Sequence, residues 1–491
     1  MGVNLPADIA SGRIAEAFLN RAININKSNC MVTDDKEQPV ESHRLFELGE
    51  YVRMKTNDLT QGSIGKGFVL FAIPLFLGSL FQQLYNTVDM LFVGNVLGKN
   101  AAAAVGASSI LVTCLINLFT GVAVGAGIVI SQLFGAKKEK DMKESVWIAV
   151  LAGAVGGLIL TVIGVTCSQA VLVRLHTPAN IIPDAVLYVR IYFLAAIPMV
   201  LYNMCSGILR AQGDSRTPFH ALAAGGVLNV ITDAVFLILL DWGVAGVAVA
   251  TLFSQSMTAV FLLIHMLHHR ILTRQRLRWD LLGKIICVGV PVGIQSMILT
   301  LSNVVVQYHI NGFGENVIAA FAVYFKAENL LCLPIIAFGQ AMVTFTGQNY
   351  GAGKYERIRR GILVCNGIAA AVLVVLSWSA LAAGNWILSA FCPDQQVVAE
   401  GMRIISVTFP VYFVYSLFEV TGGVVRGIGK SVPSMVIVIV NLCVIRILML
   451  EISDRVFHSV QAVAAVYPLT WLMATLSFVG YYLYVRKQML Q

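Results

Sequence analysis

Long apolar stretches, separated by short polar segments that contain Gly or Pro, occupy most of the chain beyond its first fifty or so residues. A helix needs about 20 mostly apolar residues to cross the hydrocarbon core of a bilayer. By that measure the pattern predicts twelve transmembrane helices in an all-α, polytopic membrane protein. The predicted spans are 67–95, 101–133, 145–168, 186–209, 219–240, 243–268, 282–311, 317–347, 361–383, 401–425, 433–450 and 462–485.

The composition agrees with this prediction. The chain is 57% apolar and 12% charged, with a mean hydropathy of +0.78. A soluble domain averages roughly 45–50% apolar and about 25% charged residues, because its surface needs polar groups. Residues 1–53 are the exception, since they are polar and mixed. We expect them to form a poorly ordered extension without a function of its own.

The net charge of +8 first suggests a nucleic-acid partner, but the placement of the charges indicates a membrane. If the N-terminus is cytoplasmic, 27 of the 34 Lys and Arg residues fall on the cytoplasmic side and three fall in the opposite loops. The remaining four lie within the predicted spans or at their ends. This asymmetry follows the positive-inside rule. It predicts a cell-membrane protein with both termini in the cytoplasm and with no nucleic-acid partner.

The sequence also repeats itself at a nearly constant offset. Paired landmarks 216 or 217 residues apart are Pro74 and Pro291, Gln132-x-x-Gly135 and Gln348-x-x-Gly351, and Arg210-x-x-Gly213 and Arg426-x-x-Gly429. The repeat predicts two six-helix lobes, 54–268 and 282–487, joined by a cytoplasmic linker over 269–281. Six spans per lobe give both lobes the same orientation. We therefore expect a pseudo-twofold axis along the membrane normal and a binding cavity between the lobes.

Ionisable residues within the first-lobe spans are candidates for chemistry. Asp89 lies in the first span, and Asn229 and Asp233 lie on one face of the fifth, four residues apart. A charged side chain costs at least about 2.5–3.5 kcal/mol in the membrane interior. Two carboxylates with amide and hydroxyl oxygens suit H⁺ or a hard cation such as Na⁺, with Asp89 and Asp233 as the ligands. The alternative is a polar pair that only fixes helix packing.

The second lobe has a different set of polar residues. Tyr415 and Glu419 share a helix face in the tenth span, and either bind a cationic substrate or coupling ion or pair structurally. Lys326 and Glu328 in the eighth span are further candidates for a second-lobe substrate or cation site. They are two residues apart, so they do not face each other and reach separate partners. Arg446 is expected to pair or to extend to the membrane surface.

Motifs of enzymes and ATP-driven pumps are missing from the sequence. Gly351-Ala352-Gly353-Lys354 superficially resembles a phosphate loop, but it lacks the spacing and the Ser or Thr of that motif. No metal-ligand spacing, nucleophile elbow or HExxH occurs. We therefore expect neither an enzyme nor a cofactor other than a coupling ion.

Several motifs together resemble the multidrug and toxic compound extrusion (MATE) family over about residues 54–487. The matching segments are Pro74, Gln82-Gln83-Leu84-Tyr85-Asn86-x-x-Asp89, Gln132-x-x-Gly135-Ala136 and Leu209-Arg210-Ala211-Gln212-Gly213-Asp214. Asp89 and Asn229-x-x-x-Asp233 resemble the bacterial branch that includes the DNA-damage-inducible relatives.

This resemblance implies two six-helix lobes, alternating access and cation-coupled export of aromatic or lipophilic organic cations. It also implies a first-lobe cation site at Asp89, Asn229 and Asp233, with Thr251 as a further ligand from the sixth span. Glu419 fits a second-lobe site of another branch. That branch also has an acid in the seventh span, where this chain has only Gly293-Ile294-Gln295-Ser296.

The sequence thus favours a monomeric secondary antiporter that exports organic cations in exchange for H⁺ or Na⁺. One alternative is a flippase for lipid-linked glycans, which would need a larger cationic cavity for a pyrophosphate. Another is a channel or a non-transporting membrane sensor.

Overall fold

The computed structural model of the chain describes residues 58–92, 94, 99–174, 181–457 and 459–489. The predicted N-terminal extension, 1–53, lies outside the described residues. Within the described part the chain is helical and forms no strand. The helices, in chain order, are α1 Ile64–Phe92, α2 Lys99–Gly135, α3 Glu139–Arg174, α4 Ile182–Leu194, α5 Ala196–Ala211, α6 Arg216–Ala234, α7 Gly243–His268, α8 Trp279–Asn311, α9 Glu315–Gly351, α10 Tyr355–Ala382, α11 Gly384–Phe391, α12 Gln395–Thr408, α13 Phe413–Gly427, α14 Ser431–Ile439, α15 Arg446–Val456 and α16 Val460–Met489.

Ten helical segments of the described chain are long and apolar enough to cross a membrane, and two bent helix pairs bring the number to twelve. The bent pairs are α4 with α5, at 42°, and α12 with α13, at 49°. They coincide with the fourth and tenth predicted spans. Each break lies near a proline, Pro198 or Pro410, which has no N–H to continue the helical hydrogen bonds. The predicted all-α, multi-span fold is confirmed.

Wider turns of π-helix occur in the described parts of the α6 and α14 segments. Val235–Leu239 continues α6, and Val440–Ile445 joins α14 to α15. In the first case the π-turn begins two residues after Asp233. Such turns rotate the register of the side chains that follow and are frequent at functional sites.

The two repeated Gln-x-x-Gly motifs meet each other at the end of the bundle where α1 begins, which we call the basic end. A Cβ on Gly135 would lie 1.8 Å from the carbonyl oxygen of Gln348, and a Cβ on Gly351 would lie 1.8 Å from that of Gln132. Only glycine fits at either position. The halves also meet farther from the basic end, where α2 packs closely against α8 through facing glycines.

In each half, the segment that precedes the first helix also contacts the other half. Arg357 of α10 donates hydrogen bonds to backbone carbonyls of residues 59, 61 and 62, which precede α1. Arg278, which precedes α8, forms ion pairs with Asp141 and Glu144 of α3, at 3.7 and 3.2 Å. Asp141 and Arg357 are 216 residues apart, so corresponding helices hold the two segments. These reciprocal contacts hold the halves together at the basic end.

Candidate functional site

Two acids from different helices face each other far from the basic end. Asp89 lies near the end of α1 and Asp233 near the end of α6, and these helices pack along each other. The two carboxyl groups are close enough for a side-chain hydrogen bond between them when one carries a proton. Asp233 is completely buried, whereas Asp89 is half-buried. The two acids that the sequence places far apart therefore form one site.

Several polar atoms of this site have no hydrogen-bond partner among the described residues. They include both carboxylate oxygens of Asp233, Oδ1 of Asp89, and the side-chain oxygen and nitrogen of Asn229. No described Lys or Arg lies within 4.0 Å of either carboxylate. Buried polar groups are nearly always satisfied. Unpaired oxygens gathered in one place suit a small cation or a proton.

Thr251 is buried on α7, which packs against α6. Its hydroxyl donates to the carbonyl oxygen of Val247 at 3.1 Å, so the hydroxyl oxygen can still accept a hydrogen bond or ligate a cation. Among the described residues no hydrogen bond joins Thr251 to Asp89 or Asp233. The described chain also contains no group of three or more His, Cys, Asp or Glu that could hold a metal ion. Carboxylate, amide and hydroxyl oxygens are the kind of donors that hard cations prefer.

Tyr188 is a neighbour of the acids that the sequence analysis missed. It lies on α4, is almost fully buried, and interacts electrostatically with both Asp89 and Asp233. Its ring lies 5.7 Å from that of Tyr192, one helical turn further on. The i, i+4 spacing of two tyrosines within a span was the only sequence signal. That spacing is also common in helices that bury aromatic residues for packing alone.

The second-half acids have partners. Arg426 Nη2 donates to Glu419 Oε1 in an ion pair whose two side chains are mostly buried. The ring of Tyr415 stacks on that of Trp471, with centroids 5.0 Å apart. Glu419 therefore has a fixed positive charge beside it, unlike Asp89 and Asp233.

Lys326 and Glu328 reach separate partners. The Lys326 ammonium is exposed and lies 5.7 Å from the ring centre of Phe391. Glu328 points the other way and accepts a hydrogen bond from the Tyr412 hydroxyl at 3.3 Å. The structure brings neither residue into contact with the ion pair of Glu419.

Arg446 is buried within the second half rather than extended to the membrane surface. It donates to the Thr470 hydroxyl at 3.1 Å, and its guanidinium lies 4.9 Å from the ring centre of Tyr467. It also interacts electrostatically with Glu328. The buried charges of this half thus compensate one another through a polar and aromatic network.

A cavity of about 370 Å³ lies between the acid pair and the basic end. Its walls come from α1, α2, α5, α6 and α9, so both halves contribute. Among the described side chains that line it, Arg210 is the only charged one, and the aromatic members are Tyr202 and Phe219. Drug-sized ligands occupy pockets of about 300–1,000 Å³. The cavity is therefore of the right size for such a molecule.

Comparison with known protein families gives two separate matches. The family model described as MatE matches residues 74–235 and again 291–450. The starts of the two matched segments are 217 residues apart, as are the repeated prolines. Each half of the chain thus matches the family model separately, in agreement with the internal repeat.

Curated relatives include two proteins of Bacillus subtilis (strain 168). The probable multidrug resistance protein YpnP is 28% identical over 80% of this chain and 89% of that protein. The probable multidrug resistance protein YoeA is 28% identical over 88% of this chain and 96% of that protein. The multidrug export protein MepA of Staphylococcus aureus (strain COL) is 21% identical over 77% of this chain and 85% of that protein.

Solved structures share the fold. A MATE crystal structure in complex with MaL6 superimposes with a TM-score of 0.82 at 22% identity, covering 89% of this chain and 98% of that one. A structure described as the outward-facing conformation of a multidrug resistance MATE transporter gives a TM-score of 0.80 with the same identity and coverage. These neighbours confirm the polytopic helical architecture.

Proposed function

Because this chain belongs to the MATE family of membrane transporters, we propose that it is a secondary antiporter that exports small organic molecules in exchange for H⁺ or Na⁺. Members of the family are transporters rather than enzymes. The relatives named for multidrug resistance or export support drug-like molecules as cargo. The cavity volume of about 370 Å³ suits such cargo and is small for a lipid-linked glycan.

One observation carries the exchange mechanism. Asp89 and Asp233 are within hydrogen-bonding reach of each other, and no described Lys or Arg neutralises them. Two carboxylates this close repel when both are charged. A mobile cation, or a proton shared between them, relieves that repulsion. Asn229, one turn before Asp233, supplies a further oxygen.

Alternating access links this ion to the cargo. α1 and α6 carry the acid pair and also line the cavity, so a change in their packing reaches both places. In our proposal ion uptake favours one arrangement of these helices and cargo binding the other. Exchange requires only that the two ligands prefer different states. The family resemblance implies organic cations as substrates. The positive charge of such a substrate also repels the coupling ion bound at the acid pair, which adds to the competition between them.

Efflux from proteoliposomes tests this function. A cationic dye is loaded inside, and a H⁺ gradient and a Na⁺ gradient are imposed separately. We expect one gradient to drive efflux by the wild type and neither to drive it in Asp233→Asn or Asp89→Asn. The matched control is Asp184→Asn, which removes an exposed acid from α4 and leaves efflux unchanged. Ion-driven efflux at the wild-type rate by Asp233→Asn would refute the assignment.

A further inference from the structure

We propose that Arg210 makes the cavity selective for cargo that carries a carboxylate or a similar anionic group beside its apolar body. Arg210 is near the end of α5, and its side chain lines the cavity. This inference rests on the proposed export function and adds a second determinant to it, separate from the acid pair.

The hydrogen bonds of Arg210 leave part of its guanidinium unused. Nε donates to the carbonyl oxygen of Ser206 at 3.0 Å, and Nη1 donates to Oε1 of Gln340 at 2.7 Å. Nη2 makes no hydrogen bond to any described residue. A guanidinium presents five N–H donors in a plane and matches a carboxylate well. Two fixed neutral acceptors therefore orient the group while donors remain for a ligand.

The charge of Arg210 is also unbalanced. Among the described residues no Asp or Glu lines the cavity, and none pairs with Arg210 within 4.0 Å. The titratable group that interacts with it electrostatically is Tyr202. By contrast, the repeat counterpart of Arg210, Arg426, is paired with Glu419. Of these two repeat-related arginines, Arg210 is the one without an acidic partner among the described residues, so it can meet an anionic group of the cargo.

The remaining walls of the cavity suit an apolar or aromatic body. Met199, Tyr202 and Phe219 offer apolar and aromatic surface, and Gln82, Asn117 and Asn203 offer neutral hydrogen-bonding groups. Phe219, at the start of α6, lines the cavity together with Arg210, whereas Asp233 lies near the end of the same helix. Arg210 and the acid pair therefore lie at different depths in the bundle. An anionic group is accepted at Arg210, and the coupling ion binds farther from the basic end.

A matched pair of dyes tests this selectivity. Rhodamine 110 carries a free carboxylate, and rhodamine 123 is its methyl ester with the same ring system. Binding of each dye to purified protein in detergent is measured by fluorescence anisotropy, without any ion gradient. The wild type is expected to bind rhodamine 110 more tightly. Loss of antiport would not affect this measurement, so the two proposals fail separately.

Arg210→Gln is expected to weaken rhodamine 110 binding about 10- to 100-fold, the usual effect of losing a hydrogen bond between charged groups. Binding of rhodamine 123 should change less than about threefold. Arg210→Lys keeps the charge and should retain part of the preference. An equal loss for both dyes, or no loss for either, would overturn the proposal.

Gln340→Glu gives a second route that keeps Arg210 in place. The new carboxylate would stand 2.7 Å from Nη1 and neutralise the guanidinium. We expect rhodamine 110 to lose its advantage and rhodamine 123 to gain in affinity. Should Arg210→Gln fail to fold, this variant alone decides, because an unchanged ratio of the two affinities contradicts the proposal.

Discussion

Buried acids of the two halves have different surroundings, although the halves repeat one helical plan. In the first half Asp89 and Asp233 have only each other and neutral side chains as neighbours among the described residues. In the second half Glu419 is paired with Arg426, and Glu328 accepts a hydrogen bond from Tyr412. A carboxylate with a permanent partner stabilises the fold, whereas one without a partner can bind and release a cation. We propose that the two halves of the repeat have in this way divided a structural task from a transport task.

Supplying the first half with a fixed cation should abolish this difference. Asn229→Lys places an ammonium one turn from Asp233, on the same face of α6. We expect ion-driven efflux to fall at least about 100-fold, because an ion pair worth about 3 kcal/mol would compete with the coupling ion. The measurement is dye efflux from proteoliposomes. Asn229→Met, of similar length but uncharged, is the control and should retain far more activity; equal loss in both variants would contradict the prediction.

Removing the partner in the second half should affect stability instead. Glu419→Gln leaves the guanidinium of Arg426 mostly buried without its counter-charge, and breaking such a pair costs about 3 kcal/mol. We expect a clearly lower Tm in detergent, while ion-driven efflux persists in the folded fraction. The double variant Glu419→Gln with Arg426→Leu should recover most of the loss. An unchanged Tm, or a loss of coupling in correctly folded Glu419→Gln, would show that Glu419 belongs with the transport acids.

A substitution of Tyr188, the neighbour of the acid pair, should have a smaller effect on efflux. Tyr188→Phe removes one hydroxyl close to Asp89 and Asp233. Loss of one polar interaction of a neutral hydroxyl costs about 1 kcal/mol, which corresponds to roughly a fivefold change in affinity. We expect the concentration of coupling ion for half-maximal efflux to shift by about that factor. Tyr350→Phe, at the basic end, serves as the matched control. Identical ion dependence in wild type and Tyr188→Phe would exclude Tyr188 from the site.

A substitution of Lys326, the exposed lysine in the second half, should have the smallest effect on efflux. Lys326→Gln removes an exposed ammonium over Phe391, a contact worth at most about 1 kcal/mol. Efflux should remain within about twofold of the wild type. A larger loss of efflux would show that Lys326 has a functional role in transport.

Hydrophobic patterning predicted the spans because the bilayer imposes length and polarity on each helix separately. The same patterning did not predict the bends in the fourth and tenth spans, even though Pro198 and Pro410 lie near them. Many transmembrane helices keep a proline without a sharp bend, since packing of neighbouring helices decides the angle. Local sequence thus gives the position of a break more readily than its size.

The candidate site was predictable only in part. The cost of an acid in the membrane indicated Asp89 and Asp233, but it indicated Glu419 equally. Only the fold shows that Arg426, seven residues further along the helix, provides Glu419 with a partner. Tyr188 and the cavity position of Arg210 depend on contacts between α4, α5 and distant helices, which no local pattern encodes.

Cation release on cargo binding tests the separation of tasks most directly. Rhodamine 123 is added to purified protein in weakly buffered detergent, and released H⁺ or Na⁺ is measured with a pH dye or a sodium electrode. We predict that the wild type and the folded fraction of Glu419→Gln release one of these cations in comparable amounts, and that Asp233→Asn releases neither. Equal release from Asp233→Asn and the wild type would contradict the claim that the unpaired acids of the first half bind the coupling ion.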